Sequence, residues 1–168
     1  YSMALLLWSP LEKNGWDIRL VEDKKIRQSL TVVFSGAVFF MLMDVIIDPV
    51  AHMGDRWFLG KVYFYEEAGE YFNIPLTNFL GWFLVGTAIL YGFTRIDRWL
   101  TGRLPETRRE VPAQALLGPG LYFGVLLFNL AVTFYIGEWT LGVCGTAITL
   151  ALLYLIYSKI RDPDKFTV

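Results

Sequence analysis

The chain has 168 residues, of which 55% are hydrophobic and 17% aromatic, and its formal net charge at pH 7 is −1. A soluble domain of this length is usually more polar, and nucleic-acid binding needs a dense basic tract that this sequence lacks. Composition therefore excludes an ordinary soluble domain and argues against a nucleic-acid partner. The single cysteine, Cys144, rules out an internal disulfide and a cysteine-rich metal site.

The apolar residues are concentrated in blocks of about 20, a length that spans a hydrocarbon core of roughly 30 Å as a helix. Four such blocks predict an all-α integral membrane protein, built as a helical bundle. The predicted spans are about 29–48, 77–94, 115–136 and 138–157. Residues 3–8, "MALLLW", are too short to span and are typical of the tail of a helix. We therefore interpret residues 1–168 as a single membrane domain that lacks the N-terminal spans of a longer protein.

Basic residues are distributed unevenly between the two ends of the predicted four-helix bundle. All but two of the 15 Lys and Arg residues, Arg56 and Lys61, fall at the end that carries the C-terminus. Cytoplasmic loops are enriched in Lys and Arg, so we predict that the C-terminus is cytoplasmic and the 49–76 connection lies on the outer side. A composition that is not strongly acidic argues against an extreme halophile, so we expect the inner membrane of a bacterium.

Two aspartates, Asp44 and Asp48, lie near the outer end of the first span, within "MLMDVIIDPVAHMGDRWF" at 41–58. Residues four apart share one face of a helix, about 6 Å apart along its axis. A charged aspartate inside a bilayer is costly, so both side chains should face the bundle or a wet cavity. Two carboxylates this close in a low dielectric do not both ionise readily. We expect that one retains its proton and can act as a general acid.

Other interpretations of the pair stay open. Both aspartates can serve as structural hydrogen-bonding groups between helices or cap a helix end. "DVIID" also has the D-x-x-x-D form that binds Mg²⁺-diphosphate in membrane prenyltransferases. Those enzymes need a second acidic motif, and the other spans offer only Asn78, Asn129 and Glu138, so we expect no metal. A proton channel would need acidic groups along the whole span.

The 49–76 connection has 28 residues and is rich in aromatic side chains that alternate with acids. A connection this long between neighbouring spans usually has a function, although aromatic residues also form a belt at membrane interfaces. Its histidine, His52, has no second ligand at a metal-binding spacing. We interpret His52 as solvated or hydrogen-bonded, with proton transfer as the alternative.

The end of the first span, the loop after it and the start of the second span together resemble a known family. "DVIIDPVA" and "GEYFNIPLTNFLGWFLVG" at 69–86 are similar to the carotenoid biosynthesis membrane proteins typified by CruF. In that family an Asp and an Asp-Pro close one span, and Asn-Phe-x-Gly-Trp opens the next after a Gly/Tyr-rich loop. The upstream "NGW" at 14–16 is also similar. One residue departs from the pattern: Asn73 stands where the family has a glycine in the turn just before the second span. The resemblance covers roughly residues 10–100, and the last two spans only by hydropathy.

Known members of that family are carotenoid hydratases, including γ-carotene 1′-hydratases and bisanhydrobacterioruberin hydratases. The resemblance implies that water is added to the terminal C=C of a linear carotenoid ψ-end, giving a tertiary alcohol. The family motif is matched here by Asp44, Asp48, Pro49, Tyr71, Pro75, Asn78, Phe79, Gly81 and Trp82.

For that chemistry we expect Asp44 to donate the proton, with Asp48 or Asn78 orienting water; the reverse assignment of the two aspartates stays open. Aromatic faces can stabilise the carbocation. The candidate substrate-binding residues are Trp57, Tyr63, Tyr65, Tyr71, Phe79 and Trp82. No cofactor is required, and the sequence carries no dinucleotide, haem or flavin motif. The expected partners are a carotenoid or other long isoprenoid and membrane lipids; a membrane complex or homo-oligomer is left open.

Two other functions stay open from the sequence. A non-catalytic subunit that binds a carotenoid or lipid in a membrane complex would have its aspartates fully paired in helix contacts, with no cavity reaching them. A Mg²⁺-dependent membrane prenyltransferase would bind an isoprenoid diphosphate only with metal.

Overall fold

The computed structural model of the chain describes residues 1–15, 17–21, 23–57, 60, 63, 65–66, 68–101, 103 and 111–166. Its elements are α1 (Ser2–Trp8), β1 (Leu11–Asn14), β2 (Asp17–Leu20), α2 (Lys24–Arg27), α3 (Leu30–Ala51), a 3₁₀ turn (Gly54–Arg56), α4 (Leu76–Leu100), α5 (Gln114–Tyr135) and α6 (Trp139–Arg161). Helices α3 to α6 are long and apolar enough to cross a membrane. The predicted all-α membrane protein with four spans is therefore confirmed. Two residues named above, Trp16 and Lys61, lie outside the described part of the chain.

The spanning helices are longer than the predicted spans at several of their ends. Helix α3 continues beyond Asp48 through Pro49 to Ala51, because a proline in the last turn removes a single backbone hydrogen bond. Helix α4 continues six residues beyond the predicted limit at 94 to Leu100, through the charged segment "RIDRWL". Hydropathy marks the boundary of the hydrocarbon core, whereas the backbone bonds of a helix can continue into the interface.

Helices α3 and α4 run antiparallel and approach closely at Gly86. A Cβ atom added there would lie 2.9 Å from Cδ1 of Phe40 and 3.3 Å from Cα of Ala37. The absence of a side chain lets the two backbones come together, as small residues do in membrane helix pairs. This contact fixes the height of α4 against α3 and therefore the height of the site described below.

Helices α5 and α6 follow each other closely in the chain and form an antiparallel hairpin. Gly137 at its tip has a φ of +83°, which glycine adopts without strain. Gly142 of α6 packs against the ring of Phe134, and Gly145 packs against Leu130. The pair is joined to α3 by the hydroxyl of Tyr122, which donates to a backbone carbonyl of α3 at 2.7 Å.

One end of the bundle is filled by α1 and a short antiparallel hairpin of β1 and β2. Met3, Ala4 and Leu6 of α1 are at most 2% exposed and belong to the main apolar core. The sequence predicted the helical character of this segment, but it did not predict the β hairpin.

The connections at the two ends of the bundle are held by charged side chains. At the basic end, Nη2 of Arg27 lies 3.1 Å from Oδ1 of Asp97. At the opposite end, Nη1 of Arg56 lies 2.6 Å from Oε1 of Glu138, and Nη2 of Arg56 donates to the carbonyl of Ile136. This second contact ties the 49–76 connection to the tip of the α5–α6 hairpin.

Candidate functional site

Asn78, in the first turn of α4, links the two aspartates of α3. Its side-chain Nδ2 donates to Oδ2 of Asp44 at 3.0 Å and to Oδ2 of Asp48 at 2.8 Å. An amide nitrogen carries two hydrogens, so both bonds can form at once. The two parts of the family motif, which are about 30 residues apart in the sequence, therefore meet at one point between α3 and α4.

The two carboxyl groups have different surroundings. Asp48 is buried, with 7% of its surface exposed, whereas Asp44 is partly exposed. The phenol of Tyr65 also lies beside Asp48 and interacts with its carboxyl group. Among the described residues, Asn78 is the side chain that donates to Asp44. The pair is therefore asymmetric: one carboxyl group is enclosed by donors, and the other is open on one side.

A tight turn before α4 places Asn78 at this position. Gly69 and Asn73 form an isolated β-bridge, as do Tyr71 and Ile74. A Cβ atom on Gly69 would lie 2.1 Å from the carbonyl carbon of Ile74, so only glycine fits there. Phe72 and Asn73 have positive φ angles of 46° and 67°. Asparagine tolerates this conformation better than most residues, which explains how Asn73 can stand where the family turn has glycine.

The start of α4 is completed by side chains of the same turn. Pro75 occupies the N-cap position and offers no side-chain acceptor, so the first backbone N–H groups need other partners. Oε2 of Glu70 accepts a hydrogen bond from the backbone nitrogen of Leu76 at 3.3 Å. Glu70 thereby stabilises the helix end that carries Asn78.

His52, Tyr63 and Tyr65 form an aromatic cluster beside Asp48. The imidazole centroid lies 6.1 Å from the ring of Tyr63 and 5.5 Å from that of Tyr65, and the two phenol rings are 5.7 Å apart. The hydroxyl of Tyr63 donates to the backbone carbonyl of Asp48 at 3.4 Å. Nδ1 of His52 is buried, and the described residues provide no hydrogen-bond partner for it. The cluster joins the aspartate pair to the outer connection.

The Tyr65 hydroxyl keeps its proton under ordinary conditions. Burial raises the pKa of Tyr65 above its usual value, and the neighbouring charges of Asp48 and Asp44 raise it further. A phenol that stays protonated remains a hydrogen-bond donor, so Tyr65 can stabilise negative charge on Asp48.

Further aromatic pairs flank the aspartates along the line of contact between α3 and α4, which we call the α3–α4 seam. Trp82 lies one turn beyond Asn78 and contacts Phe40, one turn before Asp44, in an edge-to-face arrangement with centroids 5.4 Å apart. Both rings remain 37% exposed and face the surface that lipid would cover. The seam therefore continues from the carboxyl groups into the membrane as an open aromatic surface.

A second aromatic pair lies behind the turn. The ring of Tyr71 packs edge-to-face on Phe79, with centroids 5.6 Å apart, and Phe79 is buried. Burial raises the pKa of the Tyr71 phenol above its usual value. Trp57, the remaining predicted substrate-binding residue, follows the 3₁₀ turn, and its backbone nitrogen donates to Gly54. Its role stays a prediction.

The described residues contain no group of three His, Cys, Asp or Glu side chains that could hold a metal ion. The aspartate pair has an amide and a phenol as its polar neighbours instead of further carboxylates. These neighbours suit proton transfer better than the binding of a hard cation, which prefers several oxygen ligands with negative charge.

A family model of carotenoid biosynthesis proteins matches residues 5–154 of the chain. The protein belongs to this family. The matched region includes α3, the turn before α4, and α4 itself. It therefore contains both aspartates, Asn78 and the aromatic residues around them. No curated protein matches the chain, and no solved structure matches it. The resemblance predicted from the sequence is confirmed, and the chain is an integral membrane protein of carotenoid biosynthesis.

Two side chains of this carotenoid biosynthesis protein were not among the predicted site residues. Phe40 contacts Trp82, and its position four residues before Asp44 could have indicated a place on the same helix face. His52 was interpreted as solvated or hydrogen-bonded, but it packs against two tyrosines from a later part of the connection. No residue spacing in the sequence predicts that contact, because it depends on how the 49–76 connection folds back towards the end of α3.

Proposed function

We propose that this carotenoid biosynthesis protein is a hydratase that adds water to the terminal C=C of a linear carotenoid ψ-end. The single observation that carries the proposal is the Asn78 bridge between Asp44 and Asp48. It joins two carboxyl groups of different exposure, which lie next to the exposed rings of Phe40 and Trp82 on the α3–α4 seam. Hydration of an unactivated alkene needs a proton donor, a base for water and stabilisation of a cation, and this arrangement offers all three.

Asp44 is the proposed proton donor. Asp48 accepts a hydrogen bond from Asn78 and has the phenol of Tyr65 beside it, whereas among the described residues Asp44 accepts a hydrogen bond from Asn78 alone. Hydrogen bonds to a carboxylate favour its charged form, so the negative charge is concentrated on Asp48 and the shared proton stays on Asp44. Asp44 is also the more exposed member of the pair, which makes it accessible to a substrate in the bilayer.

The reaction balances without an oxidant, a reductant or a cofactor. The O–H bond of Asp44 breaks, and the proton bonds to the less substituted carbon of the terminal C=C with the π electrons. The more substituted carbon becomes a tertiary cation. A water oxygen then bonds to that carbon, and the proton that water loses passes to Asp48. Proton transfer from Asp48 to Asp44 restores the starting state.

The aromatic residues have separate proposed roles. Phe40 and Trp82 offer a surface for the polyene, since both rings are exposed along the seam. Tyr63 and Tyr65 surround the polar side of the pair, where water would enter. The faces of these rings can also stabilise the cation by cation–π interaction. Tyr71 and Phe79 support the turn from behind.

The proposed orientation follows from charge. The basic end of the bundle faces the cytoplasm, so the aspartate pair and the 49–76 connection lie at the outer side of a bacterial inner membrane. A carotenoid is a rod about as long as a bilayer is thick, so its end group lies near an interface. The aspartate pair is at that depth, because Asp44 lies about two turns and Asp48 about one turn before the end of α3.

The experiment is to express the full-length protein in bacteria that make lycopene or γ-carotene and to search for a product heavier by one water. Asp44→Asn and Asp48→Asn are the test variants. Each keeps an oxygen that can accept the bond from Asn78, so α3 and α4 stay linked while the acid is lost. Asp97→Asn, at the far end of α4, is the matched control.

We expect the hydrated product from the wild type and Asp97→Asn, and a loss of at least about a hundredfold in each test variant, the usual range for a lost general acid. Hydration at the wild-type level in Asp44→Asn and Asp48→Asn would show that the pair is a structural contact between helices. A folded wild type that retains carotenoid without hydrating it would favour a non-catalytic binding subunit.

A further inference from the structure

A cavity lies at the basic end of α6, at the opposite end of the bundle from the aspartate pair. Its volume is about 320 Å³. The residues that line it are Tyr154, Tyr157, Ser158, Arg161, Asp162 and Lys165. The hydratase proposed above makes no use of this cavity, so its function is a separate question.

The cavity is formed because the chain after α6 folds back on the helix. Lys159 is fully buried, at 0% exposure, and its Nζ donates to the carbonyl of Pro163 at 2.6 Å and to that of Lys165 at 2.7 Å. The backbone nitrogen of Lys165 also donates to the carbonyl of Asp162 at 3.0 Å. These bonds fix the turn and hold Lys165 beside the last turn of α6.

Arg161 and Lys165 are the cations that line this cavity, and the described residues place no carboxylate in an ion pair with either of them. The charges of Asp164 and Asp162 act on the buried ammonium of Lys159. The described residues provide no acceptor for the exposed guanidinium of Arg161. The ammonium of Lys165 lies over the ring of Phe166, 5.2 Å from its centroid. The cavity therefore presents two cations that can bind an anion.

The depth of the cavity matches that of lipid headgroups. Tyr154 and Tyr157 are 70% and 58% exposed, and they lie about two turns and one turn before the end of α6 at Arg161. Exposed tyrosines at this position are typical of the membrane interface. A free phosphate ion would use the cations alone, whereas a lipid would also cover the two rings.

We propose that this cavity binds the phosphate group of an anionic phospholipid. Arg161 and Lys165 bind the phosphate oxygens, since guanidinium and ammonium groups form strong charge-assisted hydrogen bonds with phosphate. Tyr154 and Tyr157 pack against the glycerol and the start of the acyl chains. Asp162 accepts a hydrogen bond from a hydroxyl of the headgroup, which favours phosphatidylglycerol over headgroups without a donor.

The test uses the whole purified chain in a neutral detergent, with phosphatidylglycerol or phosphatidylcholine added. Native mass spectrometry counts the bound lipids and gives the apparent affinity, and circular dichroism checks that each variant is folded. The variants are Arg161→Gln, Lys165→Gln and the double substitution. Arg95→Gln is the matched control, because Arg95 is an exposed arginine at the same end of the bundle.

We expect one tightly bound phosphatidylglycerol, about a fivefold loss of affinity for each single substitution and roughly a 20-fold loss for the double substitution. Arg95→Gln should stay within about twofold of the wild type. Unchanged binding in the double variant, or an equal loss in Arg95→Gln, would overturn the proposal.

Inorganic phosphate distinguishes the two sources of the phosphate group. We expect that millimolar phosphate leaves phosphatidylglycerol bound, because the ion makes no contact with the tyrosines. Complete displacement by millimolar phosphate would mean that the cavity recognises the free ion and would overturn the assignment to a lipid headgroup. Because the aspartate pair is not involved, these outcomes do not depend on whether the protein is a hydratase.

Discussion

The side-chain amide of Asn78 determines how the aspartate pair is arranged, because its two N–H groups donate one hydrogen bond to each carboxyl group. At the scale of residues, the difference between the two carboxyl groups comes from what else reaches them. Asp48 has a phenol beside it, and Asp44 has an open side. The proposed division of roles depends on this difference, so the phenol is the residue to test first.

Tyr65→Phe removes the hydroxyl that lies beside the Asp48 carboxylate and keeps the ring against His52. We expect hydration to fall about tenfold, because one charge-assisted hydrogen bond contributes roughly 1.5–3 kcal/mol. Tyr63→Phe is the comparison, since that hydroxyl bonds to a backbone carbonyl and its loss should change the rate much less. Product formation in the same cells measures both. Equal effects of the two substitutions would contradict the role assigned to Tyr65.

Substitutions of Asn73 test whether this position needs a residue that tolerates a positive φ angle. Its φ of +67° lies in the left-handed region, which costs a β-branched residue about 1–2 kcal/mol more than glycine. We expect Asn73→Gly to fold as well as the wild type and Asn73→Val to lower the free energy of unfolding by roughly that amount. Thermal unfolding in detergent, followed by tryptophan fluorescence, provides the comparison. Similar midpoints for the glycine and valine variants would show that this backbone conformation is not required.

At the scale of elements, the site exists because α3 and α4 are held at a fixed separation and height. Hydropathy was sufficient to find both helices. The motif named Asp44, Asp48 and Asn78, which the structure brings into contact, and their catalytic roles stay predictions. The ends of the helices could not be derived in the same way, because backbone hydrogen bonding continues after the apolar residues end. The β hairpin was also missed, since its strands have only four residues each and no alternation that stands out from the charged segment around them.

Gly86 tests the dependence of the site on the α3–α4 contact. Gly86→Val places side-chain atoms against Phe40 and the backbone of Ala37, so α4 must move away from α3. We expect a destabilisation of about 1–3 kcal/mol, typical of overpacking, together with loss of hydration as Asn78 withdraws. Gly92→Val is the control, because a Cβ atom on Gly92 meets nothing within 4 Å. Loss of activity in both variants, or in neither, would contradict the assigned contact.

At the scale of the whole molecule, the sequence predicted the number of spans, their order and the family. The burial of α1 and the packing of His52 against two tyrosines could not be predicted, because both depend on contacts between distant parts of the chain. The proposed orientation rests on charge alone, since every element of the bundle would pack in the same way if the molecule were inverted.

Labelling of introduced cysteines measures the orientation. In a Cys144→Ser background, Glu66→Cys places a thiol in the 49–76 connection, and Arg103→Cys places one at the basic end; both positions are exposed. In intact spheroplasts, a membrane-impermeant maleimide should label the first variant and should label the second only after permeabilisation. The reverse pattern would mean that the aspartate pair lies on the cytoplasmic side.

The most direct test of the central claim is to supply a ψ-ended carotenoid to the purified full-length protein in ¹⁸O-labelled water. If the aspartate pair hydrates the terminal C=C, the product carries one ¹⁸O in its new tertiary hydroxyl, and Asp44→Asn forms none of it. A hydroxyl without ¹⁸O would show that the oxygen comes from a source other than water. Labelled product from Asp44→Asn at the wild-type rate would show that this carboxyl group is not the proton donor.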